Sequence, residues 1–169
     1  MKLFDIVCID KIDKTVTERL GFNKIYTSKD ILLLEKTKQN SVLKYILISS
    51  DENEIKKAIR DEKCIGILFK ENILMKKILE QLSSSEKLIF INISLLTNNR
   101  RSELPRNLSK IRTLLKNSKI YGLNTKFATF AKENYELISS SQFLSIVSFV
   151  CDEIKLTKTV LSNEKRFYI

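Results

Sequence analysis

Apolar runs rich in β-branched residues recur along the chain, separated by stretches whose apolar residues repeat at helical spacing. Leu3 to Ile9 (LFDIVCI) reads as a first strand and Asn23 to Thr27 (NKIYT) as a second. Ile31 to Glu35 is ambiguous in pattern and leans towards strand. Leu43 to Ser49, Cys64 to Phe69, Leu88 to Ser94 and Lys119 to Leu123 supply four more. Between them, Asp13 is placed to cap a short helix with Val16 and Leu20 on one face, ended by Gly21. Ser49-x-x-Glu52 and Asp51-x-x-Glu54 both resemble a capping box, ahead of a helix that would bury Ile55, Ala58 and Ile59. Leu74, Met75, Ile78, Leu79 and Leu82 line the next helix. Leu104, Leu108, Ile111 and Leu115 then repeat at steps of four, three and four, with Pro105 in the first turn. Ser139-x-x-Gln142 opens an apolar last helix, Phe143 to Cys151, before a shorter helical end near Leu156 to Leu161.

Strands and helices therefore alternate, and the strands are close to continuously apolar. That combination calls for a mostly parallel sheet with both faces covered, an α/β fold. Periodicity alone leaves two architectures, an open doubly wound sheet or a closed barrel. A full barrel takes about 250 residues. At 169 residues this chain fits a compact TIM-like (β/α) barrel with short or missing outer helices. No repeat, low-complexity tract or Pro/Gly linker divides it, so residues 1–169 read as one domain.

Composition narrows the chemistry. Thirty Lys plus Arg against twenty Asp plus Glu leave a net charge of +10, which favours a polyanionic partner. The sequence has no His, so imidazole general bases, nucleophilic triads and His-ligated metals are excluded. A carboxylate-only magnesium site stays formally open. Three glycines and no phosphate-loop motif argue against nucleotide cofactors. Cys8, Cys64 and Cys151 have neither metal-ligand nor redox spacing and read as buried reduced thiols. The longest apolar stretch is too short to span a bilayer, and the amino-terminal residues lack a signal-peptide pattern. A cytoplasmic protein without membrane contact is expected.

The charge is concentrated. Between Asn98 and Lys126 lie eight bases, Arg100, Arg101, Arg106, Lys110, Arg112, Lys116, Lys119 and Lys126, and one acid, Glu103. On the helix after Pro105, Arg106 and Lys110 flank the apolar stripe on one side, Arg112 and Lys116 on the other. A merely solvated face interleaves acids, so this pattern points to phosphate contact. Tyr121, Phe127 and Phe130 have the chemistry to stack on unpaired bases, though core packing is the commoner fate of such residues. Asp10, Asp51 and Glu71 fall beside helix starts, where capping accounts for them.

The run IFINISLLTNNRRSELPRNLSKIRTLLKNSKIYGLNTKFA resembles protein component 3 of archaeal ribonuclease P, counterpart of a eukaryotic thirty-kilodalton subunit. The matching positions are Ile91, Asn92, Ile93, Ser94, Leu95 and Leu96, then Arg100, Arg101, Arg106, Asn107, Leu108 and Ile111. Tyr135-Glu136-Leu137 and Leu161-Ser162-Asn163 are similar to later family segments, and LFDIVCI and ERLGFNKIYTS to its first two strands. Asn124 to Ala128 stands where the family has a small-residue turn, and Glu136 to Ser140 lacks the family's Arg and Pro. The resemblance implies a barrel similar to the polymerase-and-histidinol-phosphatase metalloenzymes, used as a structural subunit without a catalytic centre. It implies partners too: the ribonuclease P RNA, a smaller protein subunit, further protein subunits, and precursor tRNA through the holoenzyme that removes 5′ leaders. No cofactor is expected on the protein, and magnesium would serve the RNA. A basic α/β module acting on nucleic acid or protein outside tRNA processing is the alternative reading.

Overall fold

Alternation of apolar side chains on both faces of each strand explains how this chain is layered. The computed structural model describes residues 4–37, 43–70, 76–97 and 102–152. In chain order these form β1 (Phe4–Ile6), α1 (Lys14–Leu20), β2 (Lys24–Tyr26), β3 (Leu32–Leu34), β4 (Tyr45–Ile48), α2 (Glu52–Arg60), β5 (Cys64–Leu68), α3 (Lys76–Ser83), β6 (Leu88–Asn92), α4 (Ser94–Thr97), α5 (Leu104–Tyr121), β7 (Thr125–Ala128), a 3-10 turn (Asn134–Glu136) and α6 (Ser140–Asp152). Every strand pairing is parallel. β3 to β7 form one five-stranded sheet in sequence order, and β1 pairs with β2.

Phe90 faces one way along β6, while Ile89 and Ile91 face the other. Phe90 joins Ile6, Tyr26, Ile31, Ile46, Ala128 and Phe130 in an inner cluster drawn from nearly every strand. Ile89 packs outward against α2 and α3 with Leu47, Ile55, Ile78 and Leu82. Ile91 packs with Ile111, Leu115, Phe127, Phe143 and Val147 beneath α5 and α6. An apolar layer thus lies inside the curve of the strands and two lie outside it, which is the TIM-like arrangement. Among the described residues no helix follows β2 or β3, so the outer ring is short, as expected.

One closed ladder, with Lys119 to Leu123 among its strands, is not what forms. No ladder joins β2 to β3 among the described residues. β1 reaches the end of β7 through single bonds: Phe130 N–H to the Ile6 carbonyl at 2.8 Å and Cys8 N–H to the Ala131 carbonyl at 2.7 Å. The buried Asp5 carboxylate staples that seam, accepting from Thr129 N–H at 2.8 Å, the Thr129 hydroxyl at 2.6 Å and Ile6 N–H at 2.8 Å. Burial pushes its pKa up to about 6 against the pull of those donors. The turn after β7 holds Phe130 at φ 49°, a conformation costly for a bulky side chain. Its N–H bond and its ring, packed edge-on against Phe90 at 5.9 Å, hold it there.

Lys119 to Tyr121 instead completes α5. Gly122 at φ 64° adopts the left-handed conformation that ends a helix, and Leu123 N–H closes back on the Ser118 carbonyl at 2.8 Å. The strand follows, inside the Asn124 to Ala128 segment where a small-residue turn was the family pattern. Asp51 does cap α2, accepting from Glu54 N–H at 2.9 Å, whereas Asp13 at the start of α1 makes no side-chain cap. Ser139 and Gln142 form the full reciprocal box at the start of α6. Leu74, Met75 and the Leu156 to Leu161 segment lie outside the described residues. Among the described residues no helix is long and apolar enough to cross a membrane.

Candidate nucleic-acid interface

α5 runs eighteen residues, about 27 Å at 1.5 Å per residue. Pro105 suits its first turn because a missing N–H costs nothing there. Its buried residues are Asn107, Ile111, Leu115 and Ser118. The core face is therefore rotated from the expected Leu stripe: Leu104 is 42% exposed and Asn107 takes the inner position. Asn107 can be inside because its amide donates to the Leu95 carbonyl at 3.1 Å, tying α5 to α4. The Ser118 hydroxyl is satisfied by the Leu114 carbonyl one turn back, at 2.8 Å.

The bases lie on both sides of that face. Arg106 and Lys110, four apart, share one flank; Arg112, Lys116 and Lys119, at steps of four and three, share the other. Arg106, Lys116 and Lys119 are exposed, and Lys110 and Arg112 are half-buried. Ion pairs elsewhere join Lys14–Glu18, Lys56–Glu52, Lys57–Glu54, Lys70–Glu35 and Lys76–Glu80. No acid follows Glu103 on the helix. The outer surface of α5 carries a positive field with no countercharge on the helix itself.

Two other expected contacts divide differently. Arg100 and Arg101 lie outside the described residues. Lys126 sits in β7 opposite Phe90, on the same side of the strand as Ala128, and is 7% exposed. It is walled in by the inner layer and is not offered to a partner's surface. Phe127 and Phe130 are buried and Tyr121 is half-buried against the α2–α3 layer, so core packing accounts for all three. Cys64 and Cys151 are buried and Cys8 half-buried, all three as free thiols.

Among the described residues no three His, Cys, Asp or Glu side chains gather as a metal site. Asp51 is engaged as a helix cap and Asp10 accepts from the Ser28 hydroxyl; Glu71 lies outside the described residues. An open cleft of about 340 Å³ between α4 and α6 is lined by Thr97, Ile138, Ser141, Gln142, Ser145 and Ile146, with no charged group. Such a lining offers hydroxyls and an amide but no acid or base. The arrangement as a whole is equipped to bind a polyanion along α5.

The fold has a solved counterpart. It is similar to a chain of a cryo-EM structure of archaeal ribonuclease P with mature tRNA, at a TM-score of 0.62. The likeness covers 93% of this chain and 86% of that one at 14% sequence identity. At that identity the similarity establishes the fold. No family model matches the chain, and neither does any curated protein.

Proposed function

We propose that this chain is a non-catalytic, RNA-binding protein subunit of ribonuclease P, the counterpart of archaeal component 3. The observation that carries the reading is the end-to-end likeness of its fold to a chain from a ribonuclease P complex. It coincides with a sequence resemblance read independently over residues 88–169. The acid-free α5 surface supplies the physical means, since lysine and arginine that neutralise phosphates release counterions and bind RNA without base contacts. On this reading the polypeptide carries no bond-breaking group. With no imidazole in the sequence, it lacks the ligands for the metal cluster of the enzymatic relatives. Magnesium belongs to the RNA's phosphodiester chemistry, and the other partners are a smaller protein subunit, further subunits and precursor tRNA.

The test is capture of RNA by the tagged full chain from cells of its source, followed by sequencing and a cleavage assay on precursor tRNA. Ribonuclease P RNA is expected as the dominant species, with 5′-leader removal in the captured material. The purified, RNA-free protein should leave precursor tRNA intact in magnesium or manganese. Enrichment of unrelated RNAs without that activity would overturn the assignment to tRNA processing. Turnover by the RNA-free protein would overturn the non-catalytic role.

A further inference from the structure

Because all the strand pairings are parallel, every strand amino terminus of the five-stranded sheet emerges at one rim. Lysine stands at that position again and again. Lys24 opens β2, whose parallel partner β1 runs in the same direction as β7 at the seam, while Lys44, Lys63 and Lys87 immediately precede β4, β5 and β6. β4, β5 and β6 are hydrogen-bonded neighbours, so the last three lie on adjacent strands about 4.8 Å apart. The ladder fixes them there: Leu32 N–H bonds to the Lys44 carbonyl and Tyr45 N–H to the Lys63 carbonyl, each at 3.0 Å. Lys87 is anchored most firmly, its ammonium donating to the Asp61 and Cys64 carbonyls at 2.6 and 2.7 Å. Only residues 122–124 separate α5 from β7, so the last turns of α5 bring Lys116 and Lys119 to the same rim.

Most acids near this rim are engaged. Asp61 is occupied by the Tyr45 hydroxyl at 2.6 Å and by Lys63 N–H at 2.9 Å, and Asp30 ahead of β3 accepts from Thr27. Glu18 and Glu80 in the last turns of α1 and α3 pair with Lys14 and Lys76, leaving Glu62 and Glu86. The opposite rim interleaves its charges, with Asp10, Glu35 and Asp51 among Lys11, Lys36 and Lys70, and with Lys70 ion-paired to Glu35. The positive pole is therefore at the strand amino termini, although (β/α) barrels generally place their sites on the other rim.

We infer that the amino-terminal rim binds the phosphate backbone of double-helical RNA through Lys24, Lys44, Lys63, Lys87, Lys116 and Lys119. This rests on the RNA-binding reading above and names the class of RNA and the face that meets it. The side chains select the class. The bases beside the strand starts are lysines, compact charges suited to phosphates rather than planar forks suited to base edges, and Arg19 and Arg60 in the last turns of α1 and α2 add to the charge. Tyr45 at the start of β4 is buried and Tyr121 at the end of α5 is half-buried, so these rings give unpaired bases no stacking platform. A-form RNA is read through shape and phosphates, which is what such a rim offers.

The experiment measures binding of the full chain to a 20-base-pair mixed-sequence RNA duplex across a potassium chloride titration. Lys44→Gln with Lys63→Gln and Lys116→Gln with Lys119→Gln are compared with Lys11→Gln plus Lys36→Gln, which removes equal charge from the opposite rim. Each rim pair should weaken binding about tenfold and flatten the salt dependence by about 0.7–0.9 log–log units for each phosphate no longer neutralised, taking single-strand and duplex-DNA coefficients as brackets. The control pair should change affinity less than about twofold, and melting curves should stay unchanged for all three, since the substituted side chains are exposed. Equal losses in rim and control variants, or none in either, would overturn the rim inference and leave RNA binding standing. Tighter binding to a single-stranded 20-mer than to the duplex would overturn the class of RNA. Failure of the unmodified chain to bind any RNA would overturn the functional reading itself.

Discussion

α2 and α5 are both amphipathic helices packed on the same sheet, and they spend their charges in opposite ways. α2 opens with Asp51 as cap and Glu52 and Glu54 in its first turn, then pairs Glu52 with Lys56 and Glu54 with Lys57. Acids at the amino end and bases towards the carboxyl end also suit the helix dipole. α5 has an uncapped start at Glu103, no acid in its first turn, and bases only thereafter. The charges of α2 are answered within the helix that carries them. Those of α5 have no acid on their own helix to answer them, which is why a similar density of lysine reads as stability in one helix and as a partner's surface in the other.

The largest expected effects test whether the two helices are equivalent where they meet the core. Ile55 and Leu115 are both fully buried. Ile55→Ala and Leu115→Ala should each lower unfolding free energy by about 2–5 kcal/mol, through reduced burial plus the cavity left behind. Urea denaturation checks this. A loss below about 1 kcal/mol at Leu115 alone would mean that α5 is a loosely docked arm, and the comparison of surfaces would lose its basis.

Asn107 sharpens the contrast, because α5 uses a polar group on its inner face where α2 uses Ala58. Asn107→Ala removes the donor to the Leu95 carbonyl and should cost about 1–3 kcal/mol. Leu104→Ala, at a position open to solvent, should cost less than about 0.5 kcal/mol. Thermal melts of the two variants decide between the stripe the sequence suggests and the face the fold uses. Equal losses would restore Leu104 to the core.

That misplacement shows where sequence patterns stop. β4, β5 and β6 are legible because both faces of each strand are buried, leaving uninterrupted apolar runs such as LKYILIS and LIFINIS. β7 is not, because its four residues include Lys126, and the tempting KIYGL run before it is a helix end whose Gly122 sets a left-handed cap. A buried Asn cannot be told from a surface Asn until the Leu95 carbonyl is placed beside it. The bases of α5 are legible as a charge run because one helix holds them in close succession. Lys24, Lys44, Lys63 and Lys87 are scattered through the sequence, and only the parallel topology gathers them. Lys126 fails in the other direction, belonging to the charge run but pointing into the inner layer.

The smallest effect isolates the acids that α5 lacks. Glu54 accepts from Thr37 N–H at 2.8 Å, the Thr37 hydroxyl at 2.9 Å and Lys57 at 2.7 Å, so it links the segment after β3 to α2. The Lys57 bond first, then the two Thr37 bonds, hold its pKa down near 2 from an ordinary 4.5. A carboxyl whose folded pKa is depressed stabilises the fold fully above its unfolded value and loses that contribution as pH falls through the folded one. The window is therefore about pH 4.5 down to 2, with stability decreasing on acidification. The group is close to solvent and screened, so the contribution is at most about 1 kcal/mol. Glu54→Gln should flatten this part of the stability–pH curve while leaving RNA affinity at neutral pH within about twofold. Comparing urea midpoints at about pH 5 and about pH 3 for the two proteins checks it. If Glu54→Gln instead raised RNA affinity severalfold, α2 would be part of the phosphate-facing surface, and the division of labour between the helices would fail.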